Sequence, residues 1–338
     1  MSGIPDFLRA VSCPALRAAY RYSLSHLAQL ERCFAARADA LCGVETVAVG
    51  GSLGRLEAAA DSDADYIIVL RDGLAPAELE AQVAIVHDLF LSAPFKAPKA
   101  DGIYRHGIAR ATLLDPAALG SLSESPEIFG KRIALLLDAR PVFGSGRFHA
   151  LQGAVIEWYG SDFLAASPSR AWTYLSNDLM RYLHSYAGWQ QYKFTRTVDD
   201  SWQLRQAKFR TSRLLSFAAL MFLLGESDRD VHKMAWLHQR LALTPLQRLF
   251  DVMRIYDATA YGAMLEAYET CYAAFSDSRV RATLVATGPD ADTRMNAPLA
   301  PAYQDIKAAS SVLSQLLTEF ALARRAAWGA RFFERWLF

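Results

Sequence analysis

Cysteine is scarce in this chain of 338 residues: Cys13, Cys33, Cys42 and Cys271 stand far apart, without the short paired spacings of zinc ligands or of a disulfide framework. A reducing compartment is the simple expectation, with the cytoplasm as default. Excess charge is also missing. A net charge of +1 excludes the chain-wide basic field of a non-specific nucleic-acid binder, so any such site must be local. No apolar run approaches the length of a bilayer span, and the amino-terminal stretch carries Asp6 and Arg9 where a secretory segment would be apolar. No membrane is therefore expected among the partners. Internal repeats and low-complexity tracts are lacking too. What remains is 52% hydrophobic and 21% charged, the composition of a globular protein long enough for two domains with substantial cores.

The most informative stretch is Gly50-Gly51-Ser52-Leu53-Gly54-Arg55, followed by Asp63-Ala64-Asp65. It lies between two apolar runs rich in β-branched residues, Val44 to Val49 and Tyr66 to Leu70, each of which reads as a buried strand. Paired glycines let a backbone approach a phosphate with no Cβ in the way. Ser52 offers a hydroxyl and an N–H where Leu53 to Ala60 can begin a helix whose amino terminus favours anions. Asp63 and Asp65, two apart at the entry to a strand, project to one side because strand side chains alternate. Two carboxylates so placed can share hard cations such as Mg2+ or Mn2+.

In this order and spacing the residues resemble the DNA polymerase β-like nucleotidyltransferase superfamily, marked by a Gly-Ser turn followed by Asp-x-Asp on a strand. The longer string Gly51-Ser52-Leu53-Gly54-Arg55, then Glu57, then Ser62-Asp63-Ala64-Asp65, is most similar to the branch of glutamine synthetase adenylyltransferases and PII uridylyltransferases. The resemblance implies Asp63 and Asp65 as metal ligands, Gly51 and Ser52 as phosphate contacts, and Arg55 as a residue that steadies the turn or touches the triphosphate. It also implies a third carboxylate on a neighbouring strand. The next extended segment, Gly102 to Leu114, contains no acid, which leaves Asp101 at its start, Asp115 just after it, and Asp138 at the end of the apolar run Ile133 to Leu137. Asp101 is preferred, because it opens the strand expected beside the Asp-x-Asp strand. Asp115 before Pro116 reads first as a helix cap, and His106 as a surface strand residue.

Organisation along the chain is α+β: a leading helical segment over 1–42, a small mixed nucleotidyltransferase sheet flanked by helices over 43–146, and an all-helical domain over 147–338. Apolar residues at helical spacing, Leu16, Tyr20, Leu24, Leu27, Leu30 and Phe34, predict the leading helix. Pro76 to Leu91 predicts another, opened by proline. Beyond the break Pro141 to Gly146, helices are expected at 147–159, 169–194, 199–225, 230–241, 244–276 and 302–336.

Two of these helices carry more polar groups than a scaffold needs. Tyr174, Asn177, Arg181 and His184 share one face; Arg205, Lys208, Ser212 and Arg213 share another. Relatives of the superfamily close their cleft with a helical domain that supplies cations, so the resemblance nominates Arg181, Arg205 and Lys208 as triphosphate contacts. The structural alternative is solvated helix faces with internal ion pairs. Near the carboxyl end, Arg324, Arg325, Arg331 and Arg335 interleave with Trp328, Phe332, Phe333 and Trp336, a pattern that suits packing under arginine stems better than a lipid or RNA surface. The resulting expectation is a metal-dependent transferase that moves a nucleoside monophosphate from a triphosphate, ATP first among candidates, to a hydroxyl of a protein or small molecule. Two alternatives stand beside it: a toxin-type transfer to RNA, and a non-catalytic nucleotide sensor.

Overall fold

A computed structural model describes residues 4–60, 62–91, 104–121, 123–164, 172–196, 202–227, 230, 232–284 and 300–337. The chain is α+β, with a small mixed sheet and many helices. It divides into two compact units, one built from residues 19–178 and 227–244 and holding the sheet, the other from 1–18, 179–226 and 245–338 and with helices but no strand among its described residues.

In the sheet unit, β1 (Val44–Val49), β2 (Tyr66–Leu70), β3 (Ile108–Ala109) and β4 (Arg140–Phe143) lie in the order β3-β2-β1-β4. β1 and β2 pair antiparallel with Val49 opposite Tyr66, and β1 and β4 antiparallel with Val49 opposite Arg140. β2 and β3 are parallel, with Val69 level with Ile108. The end of β1 and the starts of β2 and β4 therefore coincide, which brings Gly50-Gly51, Asp65 and Asp138-Ala139 to one end of the sheet. β2 is buried along its whole length, as its unbroken run Tyr-Ile-Ile-Val-Leu requires of a strand covered on both faces. One face packs Val47, Val49, Tyr66, Ile68 and Leu70 against Leu27, Leu30 and Phe34 of α1 (Pro14–Ala36). Val86 and Phe90 of α3 (Pro76–Leu91) join the same core.

Of the strand expected over Gly102 to Leu114, the described residues 104–114 realise only Ile108–Ala109, and Arg110–Leu113 forms a helical turn instead. The helix expected from Leu53 onwards is a single turn, α2 (Gly51–Gly54), because Leu56 takes a positive φ of 63° and turns the chain away. Ile133 to Leu137 ends a helix, Pro126–Leu137, capped by Ser125.

The helical unit contains Trp202–Lys208, a π turn at Phe209–Arg213, and Leu214–Ser227 in succession. The stretch read as one helix over 244–276 is two, Pro245–Tyr256 and Ala258–Ser276, since Asp257 is extended and caps the second by accepting from Ala260 N–H. That over 302–336 is likewise broken, by Gly329 at φ 79°. Buried Glu226 ties the unit together, accepting from Tyr256 Oη at 2.6 Å and Trp328 Nε1 at 2.7 Å. Trp328 packs on Phe222 and Phe320, while Arg324 covers Tyr256, so this aromatic seam is core.

Candidate functional site

The glycine turn is shaped by what surrounds it. Gly50 N–H donates to the Asp65 carbonyl at 2.8 Å, which ties the turn to the Asp-x-Asp segment before β2 begins. Gly51 has φ +61°, and a Cβ there would lie 2.9 Å from Asp65 Oδ2, so conformation and space both demand glycine. At Gly54 a Cβ would fall 2.1 Å from the Asp138 carbonyl oxygen, which presses the turn against the start of β4. Ser62 Oγ accepts from Ala59 N–H and holds the loop before Asp63.

Two kinds of polar group meet here. Behind the turn, Arg55 donates through Nε to Glu57 at 2.8 Å and through Nη1 to Asp138 at 2.7 Å, and all three side chains are nearly buried. Arg55 thus steadies the turn. One oxygen of Asp138 accepts from Arg55, and the other lies 3.4 Å from where a Gly50 Cβ would be. In front, the amides of Gly51, Ser52 and Leu53 donate to no acceptor among the described residues, as the first amides of a helical turn do. The half-buried Ser52 hydroxyl and Asp63 carboxylate likewise make no hydrogen bond or ion pair among the described residues. Amide donors, a hydroxyl and the adjacent Asp63/Asp65 pair form a set suited to an anion bridged to a hard cation. Magnesium takes one or two carboxylates and leaves its remaining positions to phosphate and water, so this donor set fits it. No cluster of three metal-binding side chains occurs among the described residues.

The third-carboxylate candidates fare differently. Asp101 lies outside the described residues. Asp115 caps the short helix Pro116–Ala118, accepting from Ala117 N–H at 3.0 Å. His106 is exposed, and its carbonyl accepts from the buried ammonium of Lys131, which also bonds Glu127. Burial lowers the Lys131 pKa against the opposing pull of Glu127. Beside it, the Arg105 carbonyl bonds His87 Nε2 at 3.0 Å, and His87 Nδ1 bonds the Tyr66 hydroxyl. Burial pushes Tyr66 up to about 12. Arg105 and His106 are thus anchored by two basic side chains that the periodicity of their helices leaves unremarked. The one legible hint is a Lys131-Arg132 pair inside an otherwise apolar helix, where an unpaired charge would be costly.

Arg181 lies on Thr173–Arg196, and Arg205 and Lys208 lie on Trp202–Lys208; all three are half-buried and belong to the helical unit, whereas the turn belongs to the sheet unit. Buried Tyr159 donates to Asp178 at 2.8 Å, so the polar residue next to Asn177 serves packing. Trp158 donates to the Asp115 carbonyl and lies under Arg132, another structural role. Among the described residues no helix is long and apolar enough to cross a membrane. Compared with known proteins, the chain matches no family model and no curated protein.

Proposed function

We propose that the chain is a nucleotidyltransferase of the DNA polymerase β-like kind, moving a nucleoside monophosphate from a triphosphate to a hydroxyl of a protein or small molecule and releasing pyrophosphate. The observation that carries this reading is the glycine turn itself: amides at Gly51 to Leu53, the Ser52 hydroxyl and the Asp63 carboxylate that have no partner among the described residues, with the turn tied to the Asp-x-Asp segment by the Gly50 N–H on the Asp65 carbonyl. In the transfer, the acceptor oxygen bonds to the α-phosphorus, the bond from that phosphorus to the bridging oxygen breaks, and the acceptor proton passes to a base. The amides and Ser52 hold the outer phosphates and orient the leaving pyrophosphate. Asp63 and Asp65 would hold magnesium or manganese, which supplies charge neutralisation and lowers the acceptor's pKa. Asp101 is the candidate for the third acid.

A nucleotide sensor is the second reading, and a specific observation favours it: Asp138 is bound to Arg55 and Asp115 to a helix cap, which commits two of the three acids considered. One experiment separates the readings. The full chain is incubated with each nucleoside triphosphate labelled at the α-phosphate, with magnesium or manganese and a cell extract. Label moving to protein or to a small molecule supports the proposal, and label on RNA reassigns the acceptor. Saturable binding without transfer selects the sensor, and absence of both overturns the triphosphate reading.

A further inference from the structure

β4 is the outer strand of the sheet, and a cavity of about 310 Å3 lies along it within the sheet unit. Glu31 of α1, Arg140 and Val142 and Phe143 of β4, and Phe148 and His149 of Ser145–Leu164 line it. Arg140 stands opposite Val49 at the start of the strand. Among the described residues its buried Nε has no hydrogen-bond partner and its guanidinium makes no ion pair. Glu31 is close enough to act on Arg140 electrostatically yet forms no ion pair with it among the described residues, and it is itself exposed. A charge left in this condition is costly unless something completes it. The ligand chemistry follows from the opposed signs. A phosphate or simple carboxylate would satisfy Arg140 but meet Glu31, and an amine would do the reverse. Val142, Phe143 and Phe148 give the space between them an apolar wall.

We propose that this cavity binds a small zwitterion of the α-amino-acid class with an apolar side chain, its carboxylate on the Arg140 guanidinium and its ammonium group on the Glu31 side. The volume lies at the small end of ligand pockets and suits such a molecule. A carboxylate supplies the planar acceptor pair that a guanidinium fork matches. Burial lowers the Arg140 pKa, an effect that Tyr20 and Glu31 only partly offset, so an added anion relieves a desolvated cation. Neither the residues nor their test depend on the triphosphate reading.

Calorimetry on the full chain without nucleotide tests the proposal. L-leucine and L-phenylalanine are titrated alongside 4-methylpentanoate, which is leucine without its amine, 3-methylbutylamine, which is leucine without its carboxylate, and inorganic phosphate. The amino acids are expected to saturate, with each truncated analogue about tenfold weaker or worse, the loss of one charge-assisted contact. Arg140→Gln weakens the amino acids by a similar factor. Glu31→Gln, at an exposed position, weakens them while narrowing the gap between leucine and 4-methylpentanoate. Should Arg140→Gln lose its fold by circular dichroism, the Glu31→Gln series decides. Phosphate binding as tightly as leucine, amino acids failing to bind at millimolar concentration, or binding undiminished in either folded variant overturns the proposal.

Discussion

The two sides of one glycine turn differ in how their charges are used. Behind it, Arg55, Glu57 and Asp138 satisfy one another at 2.7 to 2.8 Å and are nearly closed to solvent. In front, Ser52 and Asp63 are half-buried with no side-chain partner among the described residues. A charge matched by its neighbours holds a fold; a polar group held in place but unmatched is available to a ligand. The helical unit shows the matched kind, because Glu226 and Glu269 both accept hydrogen bonds within it. Glu269 accepts from the amides of Ala15 and Leu16 at the start of α1.

The sharpest way to break this comparison is to neutralise the front. Asp63→Asn with Asp65→Asn is expected to reduce metal-dependent triphosphate turnover to background while the circular-dichroism spectrum stays that of the parent. Turnover surviving in the double variant would remove these carboxylates from the chemistry.

Neutralising the back gives the converse. Arg55→Met leaves two nearly buried carboxylates uncompensated and is expected to cost about 3 kcal/mol of stability, read from denaturant midpoints. A loss below about 1 kcal/mol, the range of an exposed pair, would deny the back its structural role.

Ser52→Ala sharpens the distinction further. It is expected to weaken triphosphate binding by about 1 to 2 kcal/mol in calorimetry with stability unchanged, because the hydroxyl has no partner among the described residues. A lowered midpoint with unchanged affinity would move Ser52 to the structural side.

The smallest expected effect concerns Lys208, on the helical unit. Lys208→Ala should weaken triphosphate more than monophosphate, and added salt should shrink the difference, if its charge reaches the outer phosphates. Equal weakening of both nucleotides places Lys208 away from the phosphates, and no weakening returns the helix to scaffold.

Much of the sheet unit was legible along the chain. Val44 to Val49 and Tyr66 to Leu70 read as buried strands and are β1 and β2, because β-branched runs bounded by glycine and aspartate leave little choice. Pro76–Leu91 matches its sequence bounds, since proline at the first turn and an inward apolar stripe are local signals. The segment after Asp101 was misread. It was expected to be extended from Gly102 to Leu114, but of its described residues only Ile108–Ala109 is strand, and the Lys131 and His87 contacts to the carbonyls of His106 and Arg105 hold those two residues in a bend. The helix breaks at Asp257 and Gly329 also escaped a periodicity that runs on through them.

Sequence alone determined the glycine turn and the strands on either side of it, because each depends on neighbours within a few residues. Tertiary structure decided which charges are spent. Nothing along the chain says that Arg55 meets Asp138, 83 residues away, or that Arg140 has no hydrogen-bond partner for its Nε among the described residues, in a cavity beside Glu31. Pairing of charges is set by which elements pack together, and only after packing does a carboxylate become either a strut or a site.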